Sequence, residues 1–239
     1  GARFLDHARV ITGAVAAAVR SPLRERTGEN AKLRLGMTYT VVGYFMSRYY
    51  ARFRKTYPHI EVELAELPRM ALENRLVAGD IDMAVMLVSN LQNRDEIEQE
   101  LLMRSTRRLW LAADHPLLNK QEINLADVSE EDYVMLTVDE ARKTAARYWV
   151  GAGFSPRVVL STSSVEAVRS LVASGVGVTI LSDMVYRPWS LEGQRIEVRR
   201  LKEDIPSMDV GLAWSKSRPI STAAAAFRAF MSVTMGGGG

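Results

Sequence analysis

Hydroxyl side chains cluster at three places where an apolar, strand-like run ends and a helical pattern begins. The first cluster is Thr38, Tyr39 and Thr40, the second is Thr137, and the third is Thr162 to Ser164. A hydroxyl at the start of a helix can accept a hydrogen bond from one of the free backbone amides there. It can also turn toward a bound molecule, so the chemistry open to these residues is polar recognition of a small ligand.

Two of the clusters also match the capping box, in which an acid three residues after the hydroxyl bonds back to the helix start. The matches are Thr137-x-x-Glu140 and Ser163-x-x-Glu166. Capping alone therefore explains these hydroxyls without any ligand, and both uses stay open at this point.

The repetition of the pattern favours a ligand site. In open parallel sheets, ligands bind beyond the carboxyl ends of the strands, where helix amino ends present free amides and partial positive charge. Hydroxyls at such ends in two halves of a protein could close on one small molecule. Arg69 follows another strand, in Leu67-Pro-Arg-Met70, and could add a guanidinium fork for a carboxylate. An exposed loop arginine is the alternative interpretation of Arg69.

Strand and helix patterns alternate from Lys32 onward in two successive series. The first series predicts strands at 32–37, 60–66, 80–87, 98–103 and 107–113, with helices at 41–56 and 70–78. The second series predicts strands at 133–137, 157–160, 176–181, 195–201 and 208–214, with helices at 139–150, 165–173 and 221–231. Helices placed between strands indicate βαβ units and a mainly parallel sheet. We therefore expect an α/β protein with two Rossmann-like lobes, a division that suits 239 residues.

Two segments connect these elements in ways that the sequence specifies. Gly175 and Gly177 lie between a helix and an apolar strand, and we expect them to allow a tight turn into the core. Residues 4–21 predict an amphipathic helix that Pro22 ends, followed by a polar linker. The apolar face of this helix either packs on its own domain or pairs with a second chain.

The composition is that of an ordinary globular protein and excludes several classes of function. The chain has no cysteine, so disulfides, thiol nucleophiles and cysteine metal sites are absent from it. It has no apolar run near the roughly 20 residues that span a bilayer and no signal-peptide pattern at residues 1–7, so we expect a cytoplasmic protein without a membrane partner. Its net charge of +3 is spread over scattered basic residues, which favours solvated faces over a nucleic-acid groove.

The residues that could support catalysis are poorly placed for it. His7, His59 and His115 have no metal-ligand spacing and no partner nucleophile, so His59 and His115 are expected in turns and loops. Asp80 and Asp82 flank an apolar residue and are expected at a helix end and beside a neighbouring strand. No phosphate-binding glycine motif is present. We therefore expect no catalytic residue, no metal and no cofactor.

Several segments, in order along the chain, resemble the effector domain of LysR-type transcriptional regulators. The likeness covers about residues 32–233 and is carried by Leu33-Arg-Leu-Gly36, residues 49–64 and 76–85, Asp114-His-Pro-Leu117, residues 171–181 and Ala226-Phe-Arg-Ala-Phe230. Residues 2–21 resemble the linker helix of the family, which dimerises. The winged helix-turn-helix of the family has no counterpart in these 239 residues, and we expect it to belong to a longer protein.

The resemblance implies two lobes like those of type 2 periplasmic binding proteins, joined by crossover segments near 111–114 and 206–210. The implied divisions are residues 1–31 for the linker helix and linker, 32–113 with 208–235 for the first lobe, and 114–207 for the second lobe. It also implies a homodimer or homotetramer that meets DNA through the missing domain and binds a small effector between the lobes.

The resemblance further implies which residues reach the effector. Thr38, Tyr39 and Thr40 match the positions after the first strand, and Arg69 matches the loop after the second. Thr137 and the segment 162–164, which comprises Thr162, Ser163 and Ser164, match the contribution of the second lobe. Many family members have a small or hydroxyl residue at the position of Arg69. This departure fits an anionic effector, such as a carboxylate or aromatic acid, and it fits a closed, ligand-free cleft equally well.

Two alternatives use the same fold. A solute-binding receptor for transport would need export, and the encoding gene would then carry a leader peptide rather than a helix-turn-helix. An enzyme on this fold is less consistent with the residues described above, and turnover of a candidate ligand would establish it.

Overall fold

The computed structural model describes residues 31–236. The predicted linker helix at 4–21 and His7 lie outside the described residues. The strands within 31–236 are β1 (Ala31–Met37), β2 (Ile60–Glu66), β3 (Met83–Leu87), β4 (Ile97–Ser105), β5 (Arg107–Ala112), β6 (Asp132–Leu136), β7 (Arg157–Thr162), β8 (Thr179–Ser182), β9 (Ile196–Arg199) and β10 (Met208–Ser215).

The helices in the same range follow the alternation predicted from the sequence. α1 runs without a break through Tyr39–Val41, the π-helical segment Val42–Met46 and Ser47–Thr56; the others are α2 (Arg69–Ala78), α3 (Leu125–Ser129), α4 (Ala141–Gly151), α5 (Val165–Ala173) and α6 (Thr222–Gly236). Short 3-10 turns occupy Val88–Asn90, Pro116–Asn119 and Val138–Glu140.

The first lobe is built on a five-stranded sheet in the order β2-β1-β3-β10-β4. β1 pairs in parallel with β2 and β3, whereas β10 runs antiparallel to β3 and β4. Every residue of β3 is buried, because helices cover both faces of the sheet. Phe53 of α1 and Phe227 of α6 belong to the core on one face, and Leu72 and Leu76 of α2 belong to the core on the other. The carboxyl ends of β1 and β2 therefore meet the amino ends of α1 and α2 at one edge of this lobe.

The second lobe contains a parallel pair, β6-β7, and a three-stranded antiparallel piece, β8-β5-β9. Both lobes thus mix parallel and antiparallel pairs, and the prediction of a mainly parallel sheet is wrong. A parallel bridge between Tyr133 and Val178 joins the two pieces. The Val178 amide donates to the Asp132 carbonyl at 2.7 Å, and the Val134 amide donates to the Val178 carbonyl at 2.9 Å. On one face, Trp149 of α4 meets the edge of Tyr133, with ring centroids 5.7 Å apart.

The first crossing between the lobes differs from the prediction. β5 hydrogen-bonds to β8 and β9, so it belongs to the second sheet, although residues 107–113 were assigned to the first lobe from the sequence. The chain therefore passes between the lobes between Ser105 and Arg107, not near 111–114. An apolar run of this length fits either sheet equally well, so its sequence does not show which partner strands it takes. The return crossing lies between the end of β9 and the start of β10, and it overlaps the predicted 206–210.

The turn that leads from α5 toward β8 requires both of its glycines. Gly175 has a φ of +74°, the left-handed region that side chains rarely adopt. At Gly177 a Cβ atom would lie 2.6 Å from the Asp132 carbonyl oxygen, in the strand that the chain is about to join. The tight turn expected from Gly175 and Gly177 is therefore present.

Candidate functional site

A cavity of about 450 Å³ lies between the two lobes. Its walls come from residues 38–39, 66–70, 86, 87 and 90 of the first lobe and 137–140 of the second. These are the ends of β1, β2, β3 and β6, together with the first residues of α1 and α2. Four of the residues predicted from the sequence, Thr38, Tyr39, Arg69 and Thr137, are among them.

Thr38 is the residue at which α1 begins, and its hydroxyl is unusual. Thr38 has extended backbone angles (φ −84°, ψ 161°) and is only 2% exposed. Its Oγ1 atom has no hydrogen-bond partner within residues 31–236, although it is buried at the wall of the cavity. A buried hydroxyl without a partner costs about 1–3 kcal/mol. A ligand atom could satisfy it only by reaching this buried oxygen.

The amino end of α1 is already bound to an acid from the other lobe. Both the backbone amide and the hydroxyl of Thr40 donate to Asp139 Oδ2, at 2.7 and 2.5 Å. Asn90, the last residue of the 3-10 turn after β3, donates from its side-chain amide to the Asp139 carbonyl at 3.0 Å. A carboxylate is stabilising at a helix amino end, where it meets free amides and the positive end of the helix dipole. Asp139 therefore caps a helix that begins about a hundred residues earlier.

The turn that carries Asp139 is strained. Asp139 (φ 48°) and Glu140 (φ 62°) are the non-glycine residues with positive φ within residues 31–236, and they are consecutive. The left-handed conformation costs roughly 1–2 kcal/mol per residue, and Asp tolerates it better than Glu does. The prediction of a capping box at Thr137-x-x-Glu140 is wrong: the Thr137 side chain makes no cap hydrogen bond to the described residues, and Glu140 turns toward the first lobe.

Arg69 binds two acids of the same chain. Its Nε atom lies 2.8 Å from Glu140 Oε1, across the cleft, and its Nη1 atom lies 2.8 Å from Glu73 Oε1, one helical turn away. Burial lowers the pKa of Arg69, but its hydrogen bonds to Glu73 and Glu140 and their negative charges outweigh this effect, so the net pKa is raised. Glu73 is 5% exposed and also accepts the backbone amide of Gln92 at 3.0 Å. Arg69 is thus not an exposed loop residue, and its guanidinium is already paired with two carboxylates.

The third hydroxyl cluster serves mainly to build its own turn. Thr162 Oγ1 accepts from the Ser164 amide at 3.1 Å, and Ser164 Oγ accepts from the Ala167 amide at 3.1 Å. The predicted capping box at Ser163-x-x-Glu166 is therefore wrong by one residue, since Ser164 is the cap of α5. Thr162, Ser163 and Ser164 are not among the residues of the cavity wall.

A second contact between the lobes lies one turn further along α1. The Tyr44 hydroxyl donates a hydrogen bond to Glu166 Oε1 at 2.9 Å. Burial of Tyr44, and to a smaller extent this hydrogen bond, raises the pKa of Tyr44 to about 12. Glu166 also accepts from Arg169 at 2.9 Å, and this bond, ahead of the one from Tyr44, lowers the pKa of Glu166. Arg169 is 1% exposed and donates to the carbonyls of Val185 and Arg187, each at 2.9 Å.

The cavity has more negative than positive charge. Glu66, Asp139 and Glu140 contribute three carboxylates to its wall, and Arg69 contributes the one guanidinium. Asp139, Glu140, Glu73 and Asn90 were not singled out as site residues from the sequence. Only the Arg69–Glu73 pair had a local signal, because residues four apart share a helix face.

His59, His115, Asp80 and Asp82 lie in the segments between the strands and helices. His115 Nδ1 accepts the Leu117 amide at 3.2 Å at the start of a 3-10 turn, and the His59 ring packs near Tyr57. Asp80 follows Gly79, the left-handed residue that ends α2, and Asp82 pairs with Arg34 at 2.7 Å. No group of three or more potential metal ligands occurs in the described part of the chain. No helix among residues 31–236 is both long and apolar enough to cross a membrane.

Comparison with known proteins identifies the family. The model of the LysR substrate binding domain matches residues 26–235. This chain belongs to that family. The HTH-type transcriptional regulator AlsR of Bacillus subtilis is 26% identical to it over 196 residues, which are 80% of this chain and 64% of AlsR. The chain thus spans less than two thirds of the length of this regulator.

Solved structures show the same fold. The C-terminal domain of a probable LysR family regulator from Rhodococcus sp. RHA1 matches with a TM-score of 0.77 and 27% identity, covering 84% of this chain and 98% of that domain. The effector-binding domain of QuiR, solved with shikimate, matches with a TM-score of 0.71 and 20% identity, covering 87% of this chain and 99% of that domain. These matches confirm the predicted fold, two α/β lobes as in type 2 periplasmic binding proteins, and favour the regulator over the transport receptor.

Proposed function

We propose that this chain is the effector-binding part of a transcriptional regulator and that it senses a small anionic molecule in the cavity between its lobes. The observation that carries this proposal is the Thr38 hydroxyl, which is buried at the cavity wall and has no partner within residues 31–236. Since buried polar groups are almost always satisfied, this oxygen marks where a ligand atom would bind.

The donors around the cavity favour a carboxylate or a similar anion. The Thr40 amide and hydroxyl at the start of α1 and the Arg69 guanidinium are donors that recognise anions elsewhere. Here they already bind Asp139 and Glu140, so an effector anion would have to replace at least one internal carboxylate. Shikimate, the ligand in the QuiR structure, is a carboxylate, which is consistent with this class.

The chain also has a surface suited to pairing with a second copy. β7 lies at the edge of its sheet, and Val158, Val159 and Leu160 are each more than 40% exposed. β2 is the edge strand of the first lobe, and its Leu64 is 45% exposed. Apolar edge strands readily pair with another chain. A homodimer through these edges would couple an effector-induced change of lobe angle to the arrangement of DNA-binding domains in the cytoplasm.

The binding proposal is tested by screening a metabolite library for thermal stabilisation, since a ligand at 100 times its Kd adds about 2.7 kcal/mol. Hits are then titrated calorimetrically into the wild type, Thr38→Val, and Thr56→Val as a control at the far end of α1. Thr38→Val keeps the shape of the side chain and removes an unsatisfied oxygen, so it should fold well.

We expect small carboxylates among the hits, weaker binding to Thr38→Val by about tenfold, and unchanged binding to Thr56→Val. Hits that are all cationic, or equal affinity in Thr38→Val, would contradict the proposal. Incubation of each hit with the protein should leave the compound intact, and its conversion would establish an enzyme instead.

The dimer proposal is tested by sedimentation of Val159→Glu beside Leu191→Glu. Leu191 is 78% exposed in the segment between β8 and β9. We expect Val159→Glu to shift the chain toward monomer and Leu191→Glu to behave like the wild type. Equal association of the two variants would rule out β7 as the pairing edge.

A further inference from the structure

The turn 138–140 places acidic groups of the second lobe where an anionic effector would bind on the first. Asp139 accepts hydrogen bonds from the amide and the hydroxyl of Thr40, and Glu140 accepts one from Arg69 across the cleft. These bonds cross the cleft, and the Asn90 bond to the Asp139 carbonyl crosses it as well. The chain therefore satisfies its own anion-binding donors, whereas the nearby Thr38 Oγ1 remains without a partner among the described residues.

The backbone of this turn is consistent with a contact that holds only while the lobes are together. Asp139 and Glu140 adopt the left-handed region consecutively, and neither is a glycine. Strained residues persist where surrounding contacts hold them, and they occur preferentially at ligand sites and switches. The contacts to Thr40, Arg69 and Asn90 come from the opposite lobe. If the lobes separate, those contacts are lost and the turn is free to relax.

We infer that residues 138–140 form a tethered pseudo-ligand that holds the lobes together across the cleft, and that the anionic group of the effector displaces Asp139 from Thr40. This inference rests on the proposed function, because it describes how the same cleft is regulated. It means that an effector competes with an acid of the chain rather than entering a vacant site. The apparent affinity for the effector then equals the affinity of the open cleft multiplied by the fraction of chains in which the cleft is open.

The contact can be tested without knowing the effector, because the chain has no cysteine and two introduced cysteines can be labelled specifically. Asn74 on α2 and Ala146 on α4 are exposed and lie on different lobes. With spin labels on Asn74→Cys and Ala146→Cys, pulsed electron paramagnetic resonance measures the distance between the lobes. Asp139→Gly removes the carboxylate and tolerates the left-handed backbone. Asp139→Asn keeps the shape and the fold if the glycine variant is unstable. Asp95→Gly, at an exposed acid, is the control.

We expect Asp139→Gly to lengthen and broaden the distance distribution, Asp139→Asn to do so less, and Asp95→Gly to match the wild type. Sodium formate should restore the wild-type distances in Asp139→Gly, because formate fits the site of the missing carboxylate, whereas sodium chloride at equal ionic strength should not. Wild-type distances in both Asp139 variants, or formate and chloride acting alike, would overturn the inference.

Effector binding adds a separate readout. A carboxylate that binds the wild type should bind Asp139→Gly more tightly, by about tenfold if the closed arrangement holds about 90% of the chains. Equal or weaker binding to Asp139→Gly would count against displacement. If no library compound binds the wild type, the proposed function fails, while unchanged lobe distances in the Asp139 variants defeat only the tethered pseudo-ligand.

Discussion

Two of the contacts between the lobes within residues 31–236 begin one turn apart on the same helix, and they are built differently. Thr40 of α1 reaches Asp139, and Tyr44 of α1 reaches Glu166. In both contacts, a carboxylate of the second lobe accepts a hydrogen bond from a hydroxyl of the first lobe. What differs is the support behind the carboxylate.

Glu166 is held by a buried arginine, whereas Asp139 lies in a strained turn. Arg169 bonds to Glu166 and to two backbone carbonyls, and its guanidinium lies 5.5 Å from the Trp110 ring centroid. The Asp139 turn depends on residues of the other lobe and borders the cavity. We therefore expect the Tyr44–Glu166 contact to act as a fixed pivot and the Thr40–Asp139 contact to be the releasable one. Four substitutions test this difference.

Loss of the supporting arginine should have the largest effect. Arg169→Met should lower the free energy of unfolding by about 3 kcal/mol, since it leaves a carboxylate and two carbonyls without their charged partner. The measurement is urea unfolding, with Arg195→Met as the control, because the Arg195–Glu197 pair is exposed and should contribute less than about 0.5 kcal/mol. Equal losses in the two variants would show that Arg169 gives no special support.

Loss of the Glu166 charge should be the next largest effect, and it should depend on pH. Glu166→Gln should cost about 1.5 kcal/mol at pH 7, because hydrogen bonds to a charged partner are stronger than neutral ones. The folded pKa of Glu166 is lowered below 4.5, so its contribution is present above that pH and is lost as the pH falls through the lower folded value. The stability difference between wild type and variant should thus be constant from pH 7 to about 5 and shrink below about 4.5. A difference that stays constant down to pH 3 would contradict this account.

Removal of the Tyr44 hydroxyl should have a smaller effect. Tyr44→Phe should cost about 1 kcal/mol, the value of one hydrogen bond, and it should leave the Glu166–Arg169 pair intact. Combining it with Glu166→Gln tests whether the two residues act together. A double variant that loses the full sum of the two single effects would mean that Tyr44 and Glu166 do not interact in solution.

The smallest effect is expected at the strained turn. Glu140→Gly removes the ion pair with Arg69 but relieves a left-handed glutamate, so the net change in stability should lie within about 0.5 kcal/mol of zero. The measurement is the free energy of urea unfolding of Glu140→Gly, compared with that of the control Glu98→Gly at an exposed position of β4. A loss of 2 kcal/mol or more at Glu140 would show that this contact is as firmly built as the pivot.

Much of the fold could be predicted because its signals are local. Apolar patterns of strands and helices, and glycines at helix ends, indicated both lobes. The predicted residues Thr38, Arg69 and Thr137, which follow strands, do line one cavity. The cap of α5 was missed by one residue, because hydroxyls at Ser163 and Ser164 look alike until the backbone angles are known. The sheet that β5 joins was missed because strand pairing is a long-range property.

The pairing of the site residues could not be predicted from the sequence. Thr40 and Asp139 are 99 positions apart, and their contact depends on how the two lobes are placed. The pattern at Thr137 to Glu140 resembles an ordinary helix start, so the left-handed turn had no sequence signal. The predicted roles of Thr162, Ser163 and Ser164 in effector binding stay predictions.

The most direct test is a crystal structure of the chain with its tightest-binding carboxylate from the library. We expect the ligand between the lobes, with its anionic group within about 3.2 Å of Thr38 Oγ1 and the Thr40 amide, and with Asp139 moved away from both. A ligand bound outside the cleft, or bound inside it while Asp139 remains on Thr40, would rule out displacement of Asp139 by the effector.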